Sequence, residues 1–535
     1  MGIKKKLLKY KSYIINLLVP SIVFGFVTGT ITSIIVMMYK LCAKHIIELS
    51  SQMYDYLKTH LYFVPIFVVS AVIISILLSY IYKRTPNIKG GGIPTSVGIL
   101  RGIITFKWLK NLVGVFTLSL LSFLMGVPVG NEGPSVQMGT AIGRGSVYTF
   151  AKKHRAWDRY SMTGGACAGF SVATGAPISG ILFAIEEAHQ RISPTIIIVS
   201  SSSVLFANIT SSLLSPIFGV NEKLFELPSL PTLSVTQYWI PLLVGLAVGI
   251  FSVLFLYYYR IIDDFLENKL KNIPYFSKIL GILLLTMVLG LVSFSFISTG
   301  HDLVDEILKN KEASLILLVI LLVRTTMTLG ANSVGITGGT FIPILSLGAL
   351  VASLIGEGLL ALGINGELYT IIVILGISAC ISGSMKMPLT AIIFSVEALS
   401  CHANIIPVVI AVFIAYLVTE LFGVKSINDT VIELRTEDEE DKGERIVVDT
   451  YVTVQKGAFA VGKQIRDIFW PSNLFVLSLK RSDSGTRVDE HGGKELKEGD
   501  ILHVRYTTTD EIITEAELIA IVGEQEIRNS IAERL

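Results

Sequence analysis

Residues 130–139 read Gly-Asn-Glu-Gly-Pro-Ser-Val-Gln-Met-Gly. The stretch sets one carboxylate, Glu132, between Gly130 and Gly133 and just ahead of Pro134, inside strongly apolar surroundings. An ionisable group at membrane depth is costly, so a chain that keeps one there commonly uses it. The two glycines let the backbone approach a ligand and expose its N–H groups. Pro134 suits the first turn of a helix, whose N-terminus carries partial positive charge. The reading is a half-helix end able to hold an anion, with a carboxylate competing for the same place. By itself the stretch fits equally a glycine-rich helix-packing site with a paired glutamate.

The second half of the chain repeats the design. Residues 339–348, Gly-Thr-Phe-Ile-Pro-Ile-Leu-Ser-Leu-Gly, reproduce the spacing of Gly130, Pro134 and Gly139. Pro177, Phe183 and Glu186 recur at identical offsets as Pro388, Phe394 and Glu397, and the proline-to-proline intervals are 43 and 45 residues. Two matches in the same order describe an internal duplication of about 210 residues. Duplicated halves with Gly/Pro-interrupted apolar segments at matching places point to a transport site at the repeat interface.

Composition sets the environment. The 535 residues are 51% hydrophobic and 16% charged, with mean hydropathy +0.65. Soluble domains carry about 25% charged residues, so this is an integral membrane protein in contact with lipid. A formal net charge of +2, without a basic arm or RNA-type aromatic motif, gives no ground for a nucleic acid polymer as partner. Cys42, Cys167, Cys380 and Cys401 are scattered through apolar segments and read as core residues, forming neither a disulfide framework nor a metal site. With no H-E-x-x-H or G-x-S-x-G and no histidine cluster, the chain reads as a non-enzyme without a cofactor. The basic start MGIKKKLLKYK precedes an apolar run too long for a cleaved signal, which places the N-terminus in the cytoplasm.

In chain order, the pattern predicts apolar helices over 13–40 and 62–82 joined by a polar turn, then a break at Lys89-Gly90-Gly91-Gly92-Ile93-Pro94 too glycine-rich for helix. A helix over 111–126 leads into the Glu132 stretch, and AKKHRAWDR at 151–159 reads as a solvated basic connector. Small residues Gly164, Gly165, Ala166 and Gly169 suit close helix packing. Glu186 and Glu187, being adjacent, point to different helix faces, so at most one need turn inward. Further segments fall at 192–214, 237–259, 278–298, 314–329, 368–384, 388–399, 404–422 and 426–434. Several are shorter than the roughly 20 residues a crossing needs, which predicts tilted, broken and re-entrant helices. RTEDEEDKGER, 435–445, reads as an acidic linker. Beyond it a small α+β domain is expected: strands in IVVDTYVTV, a helix in GKQIRDIF, strands at 474–480 and 500–506, and a closing helix at 510–522.

These motifs resemble the CLC family of chloride channels and chloride/proton antiporters. The family's anion-site signatures, G-S-G-I-P, G-R/K-E-G-P and G-x-F-x-P, are matched by Gly90–Pro94, Gly130–Pro134 and Gly339–Pro343. The resemblance covers about residues 10–434. It implies an all-α polytopic membrane fold of two inverted-topology repeats, a homodimer with one anion pathway per subunit, and a bacterial-type plasma-membrane location with both termini cytoplasmic. Carried over by position, Glu132 matches the gating glutamate and Glu187 the internal proton-transfer glutamate of exchangers. Gly90, Gly91, Gly92, Ile93, Gly130, Asn131, Gly133, Gly339, Thr340 and Phe341 match the anion-binding loops. The implied activity is proton-coupled chloride exchange, with chloride and protons as cargo. A passive chloride channel and a fluoride/proton antiporter are the family alternatives, and a membrane receptor is the reading from another class.

Three positions depart from the family pattern. Gly91 stands where a serine is usual, Asn131 replaces a basic residue, and Asn428, an anion-binding candidate through its side-chain amide, replaces the pore tyrosine. These put anion selectivity and tightness of coupling in question. The C-terminal part, 446–535, resembles the TrkA-C (RCK-C) module through GKQIRDIFWPSNLFVLSLKR and LKEGDILHV. No G-x-G-x-x-G follows a strand, so no dinucleotide is expected. Modules like this pair as dimers and some bind cyclic di-AMP. Arg466, Asn473, Lys480 and Arg481 are candidates for such an anionic regulatory ligand, or simply basic and polar residues on a solvated face.

Overall fold

The structure is a computed structural model, and it describes residues 17–221, 224–225, 230–309, 314–440, 446–483, 487–489, 492–508, 511–527 and 530–534. The basic N-terminal segment and the last five residues of the expected linker lie outside these.

The first half holds α1 (Val19–Thr59), α2 (Val64–Arg84), α3 (Gly92–Leu100), α4 (Trp108–Leu124), α5 (Glu132–Phe150), α6 (Asp158–Thr174), α7 (Pro177–Phe183) and α8 (Pro194–Phe218). The second holds α9 (Trp239–Asp264), α10 (Tyr275–Val292), α11 (His301–Lys309), α12 (Ser314–Val334), α13 (Phe341–Ala361), α14 (Tyr369–Met385), α15 (Pro388–Glu397), α16 (Ile405–Leu421) and α17 (Ile427–Glu440). Among the described residues, nine helical stretches are long and apolar enough to cross a membrane. Several others are too short: α3 has 9 residues, α7 has 7 and α15 has 10. Broken helices are tolerated at membrane depth only where protein buries them, and nearly all of α3 and α5 is buried.

The polar turn expected between the two early helices shrinks to His60 and the tight turn Leu61–Phe63. α1 continues unbroken to Thr59 because Ala43, Ser50, Tyr54 and Leu57 keep one face buried through the polar stretch, while Lys44, His45 and Glu48 lie on its exposed face. α3 starts at Gly92, so the predicted break ends two residues before Pro94. The small residues of α6 do pack closely. A β-carbon on Gly165 would collide with the carbonyl of Gly139 on α5, and the reverse is also true. Such backbone contact is how helices associate where burial in lipid supplies no hydrophobic drive.

The two halves cap each other. Glu186 accepts hydrogen bonds from the Leu389 and Thr390 amides at 2.8 and 2.7 Å, and from the Thr390 hydroxyl. Glu397, its repeat partner, accepts from the Ile178 and Ser179 amides at 2.8 and 2.9 Å and from the Ser179 hydroxyl. Each carboxylate satisfies orphan N–H groups at the start of the other half's broken helix. α6 and α14, which lead into these helices, both end on a left-handed residue, Gly175 and Lys386.

Among the described residues, the C-terminal part is a five-stranded sheet with one α-helix. Strands β1 (Ile446–Thr453), β2 (Leu474–Lys480), β3 (Arg487–Asp489), β4 (Ile501–Thr508) and β5 (Ser530–Arg534) lie in the order β3-β2-β4-β1-β5. α18 (Glu511–Val522) packs on it through Leu518, Ile521 and Val522. The expected GKQIRDIF helix is one tight turn, Ile465–Asp467. Gly462 sits at φ +78° and Gln464 pairs with Glu495, which draws the segment into extended backbone. α18 does not close the fold, since β5 follows it along β1. Nor is 435–445 wholly a linker. Its first six residues complete α17, and Arg435 returns to bond Thr95 at 2.7 Å.

Candidate functional site

Three helices begin at one place. Gly92 opens α3, Glu132 opens α5 and Phe341 opens α13. Their leading loops are stitched by backbone bonds: Gly130 N–H to Gly339 O at 2.6 Å, Gly339 N–H to Gly130 O at 2.7 Å, and Gly90 N–H to Gly335 O at 2.8 Å. A β-carbon on Gly92 would strike the Gly133 carbonyl, and one on Gly133 would sit 2.6 Å from Gly339 Cα. So the three motifs predicted from sequence meet, and glycine is what lets them. Their positive helix ends and first-turn amides converge on a region suited to an anion.

Glu132 is fully buried there. With its amide nitrogen turned inward, Asn131 donates to Glu132 Oε1 at 2.5 Å. Phe341 stands between Phe170 and Phe394, edge-on to each with centroids at 5.2 and 5.4 Å. Beside Glu132 a cavity of about 570 Å³ is lined by Lys40, Lys44, Asn131, Ala173 and His301.

Glu187 occupies the other side. It lies in a widened π-type turn, Ala184–Ala188, that extends α7. Such turns redirect side chains within a helix and favour functional sites. Glu186 leaves to cap α15, while Glu187 turns inward at 2% exposure, with Oε1 lacking a hydrogen-bond partner among the described residues. A second cavity of about 460 Å³ reaches Glu187 past Glu186, Arg191, Lys386, Glu420 and Asp429. Asn428, on the first turn of α17, is wholly buried, with its side-chain amide against the Glu187 carboxylate.

The C-terminal sheet docks on the Glu187 side. Arg159 donates to the Trp470 carbonyl at 2.8 Å and to Ser472 at 3.1 Å. Tyr160 bonds the Asp467 carbonyl at 2.7 Å, and Arg191 the Arg466 carbonyl at 3.1 Å. Phe459 lies edge-on to Trp157, and Phe469 stacks near Tyr160 and His189. Only the second half of the 151–159 connector docks: Lys152, Lys153, His154 and Arg155 are exposed, as a solvated loop would be, while Ala156, Trp157 and Arg159 meet the soluble domain. The buried Trp157 was the readable sign. Ser472 also bonds the Gly102 carbonyl. The neighbouring Arg101 grips Asp429 at 2.7 Å and the Glu187 carbonyl at 2.8 Å. Two residues thus connect the soluble domain to the Glu187 turn, and sequence reading singled out neither.

The four C-terminal candidates are spread out. Asn473 precedes β2 and Lys480 ends it, about 23 Å apart at strand rise. Arg481 is held by the buried Asp500 at 2.6 Å, and Arg466 presents its carbonyl to Arg191.

The architecture defines a class: a polytopic helical membrane protein made of two inverted halves, with irregular backbone buried at their junction. The voltage gated chloride channel family signature matches residues 69–420, and the chain belongs to that family. The chain is 29% identical over 370 residues to the H(+)/Cl(-) exchange transporter ClcA of Klebsiella pneumoniae subsp. pneumoniae, covering 69% of this chain and 78% of that one. Its fold resembles the crystal structure of a slow cyanobacterial Cl-/H+ antiporter, with TM-score 0.69 and 24% identity over 79% of this chain and 99% of the other. It also resembles a CLC-type fluoride/proton antiporter, with TM-score 0.62 and 19% identity over 75% and 95%.

Proposed function

We propose that the chain exchanges chloride for protons across a plasma membrane, with Glu132 as the gate and Glu187 as the inner proton carrier. One observation carries the reading: two buried carboxylates, each beside its own cavity, lie toward opposite ends of the membrane domain. The Asp158 end of α6 meets the soluble domain, while Ala173 at its other end lines the Glu132 cavity. That is about 23 Å of helix. Amides and helix ends hold an anion without a full countercharge, weakly enough to release it. A Glu132 carboxylate that takes the anion's place when it leaves, and gains a proton when displaced, links the two fluxes. Glu187 passes that proton to the side of the soluble domain, which we place in the cytoplasm with both termini. The named activity of the ClcA relative supports the same assignment.

Residues 446–535 we assign as a TrkA-C-type regulatory domain, joined by the short segment after α17 to the transport domain of residues 1–434. Its hold on Gly102, beside Arg101, gives it a route to the Glu187 turn. A cyclic dinucleotide would engage one end of β2 or bridge two protomers of a homodimer. Calorimetry with cyclic di-AMP on the full-length protein checks this, and absence of binding removes the ligand.

The deciding experiment is anion-driven proton movement in liposomes, comparing chloride, nitrate and fluoride. A chloride gradient should drive protons uphill. Chloride flux without protons would make the protein a passive channel, a reading favoured by the small Asn428. Fluoride-only movement would make it a fluoride antiporter, favoured by the Asn131 amide on Glu132.

A further inference from the structure

We propose that Asn332 is an anion-selecting residue of the pathway, its side-chain amide donating to the anion held at the helix junction. The inference rests on the exchange reading above and deepens it. Asn332 lies near the end of α12, three residues before Gly335, the partner of Gly90. It is 5% exposed, and neither Oδ1 nor Nδ2 has a hydrogen-bond partner among the described residues. A buried amide without partners costs free energy, so a chain that keeps one has something for it to bind.

What it faces is the anion cradle. A β-carbon on Gly91 would lie 3.5 Å from Asn332 Oδ1 and 3.6 Å from the Gly338 carbonyl. Gly91 itself is the residue before α3, at φ −66° and ψ 128°, a conformation any side chain accepts. Nothing in the backbone therefore requires glycine there. The space beside it is Asn332's. The atom beside the Gly91 loop is Oδ1; a half-turn of the amide, which breaks no hydrogen bond because neither atom has a partner among the described residues, sets Nδ2 there and turns its two N–H donors toward the region that the first-turn amides of α3 face. A donor on a polar side chain discriminates small anions by size and basicity, which helix ends alone do poorly. Asn428 is buried as well, but its amide lies against the Glu187 carboxylate, whereas Asn332 borders the Gly91 loop itself.

The test uses purified full-length protein, with chloride, nitrate and fluoride affinities measured by titration calorimetry and fluxes in liposomes. Asn332→Ala is expected to weaken chloride binding at least about fivefold and alter the order of the three anions. Adding Gly91→Ser to that variant places a hydroxyl in the vacated space and should restore chloride affinity to within about twofold. Gly91→Ser alone, with Asn332 in place, should change chloride affinity less than about twofold; an equal gain in both backgrounds would mean that the serine acts as a donor of its own and would overturn the proposal. Should Asn332→Ala fail to elute as a folded species, Asn332→Leu, closer in volume, carries the same comparison. Unchanged affinities and ranking in the folded variant overturn the proposal, as does weakening that the added Gly91→Ser leaves unrepaired. If the wild-type protein itself moves no chloride, the exchange reading has failed instead.

Discussion

The two halves match where they build and differ where charge is placed. Glu186 and Glu397 perform the same task, each capping the other half's broken helix with the same three donors. One position further on, the first half has Glu187 and the second has Ala398. At the helix junction, Glu132 opens α5 while the equivalent Phe341 opens α13. Symmetric residues hold the scaffold. The unsymmetric carboxylates, both in the first half, are the ones we assign to proton movement. The soluble domain follows the same bias, for its named contacts, from Gly102 to Arg191, all fall in the first half.

The largest effect should separate those two kinds of residue. Glu187→Ala should cut chloride-driven proton flux by at least about 100-fold, the scale of a lost proton-transfer group. Chloride flux should persist within severalfold. Glu132→Gln should abolish proton flux as well, with anion flux no longer varying with pH. Proton flux surviving in either variant would break the division between working and building carboxylates.

The capping pair gives the next effect. Glu186→Ala and Glu397→Ala should each destabilise the protein by about 2 kcal/mol, since each strands two backbone donors and a hydroxyl. Thermal unfolding in detergent should show near-equal shifts, because the geometry is near-equal. A much larger loss for one of them would mean that the halves are not equivalent scaffolds.

Much of this was legible in the sequence, for a physical reason. Glycine, proline and buried carboxylate carry steep local penalties, so their repeated spacing at Gly130, Pro134, Gly339 and Pro343 exposed both the duplication and the junction. Helix type was equally readable from apolar runs, though not helix ends. Lys44, His45 and Glu48 looked like a turn and are the exposed face of α1. What stayed hidden was long-range pairing. Nothing local in Arg101, Arg159 or Asn332 says that each meets residues far along the chain. The GKQIRDIF helix failed because helical propensity there yields to pairing with Glu495.

Docking of the soluble domain should yield smaller effects. Arg159→Ala removes two hydrogen bonds at its seat, a loss of about 1–2 kcal/mol. Hydrogen exchange at 466–472 should rise while the sheet stays protected. Unchanged exchange would mean that the aromatic contacts of Phe459 and Phe469 suffice.

Lys463 tests the same seat from the other side. Its ammonium lies 3.6 Å from the Phe459 ring centroid, and burial pushes its pKa down to about 8. An unfolded lysine titrates near 10.4, so the folded state penalises the charged form. The penalty is complete below about pH 8 and is relieved as pH rises toward about 10.4. Lys463→Met should therefore stabilise the protein at pH 7 by about 1 kcal/mol, allowing for solvent screening of a half-buried group. The gain should vanish near pH 10, where the wild-type lysine is mostly neutral in the fold. Thermal unfolding at the two pH values decides the matter. An equal change at both would trace the effect to packing on Phe459, and the seat would then owe its strength to the aromatic cluster and not to charge.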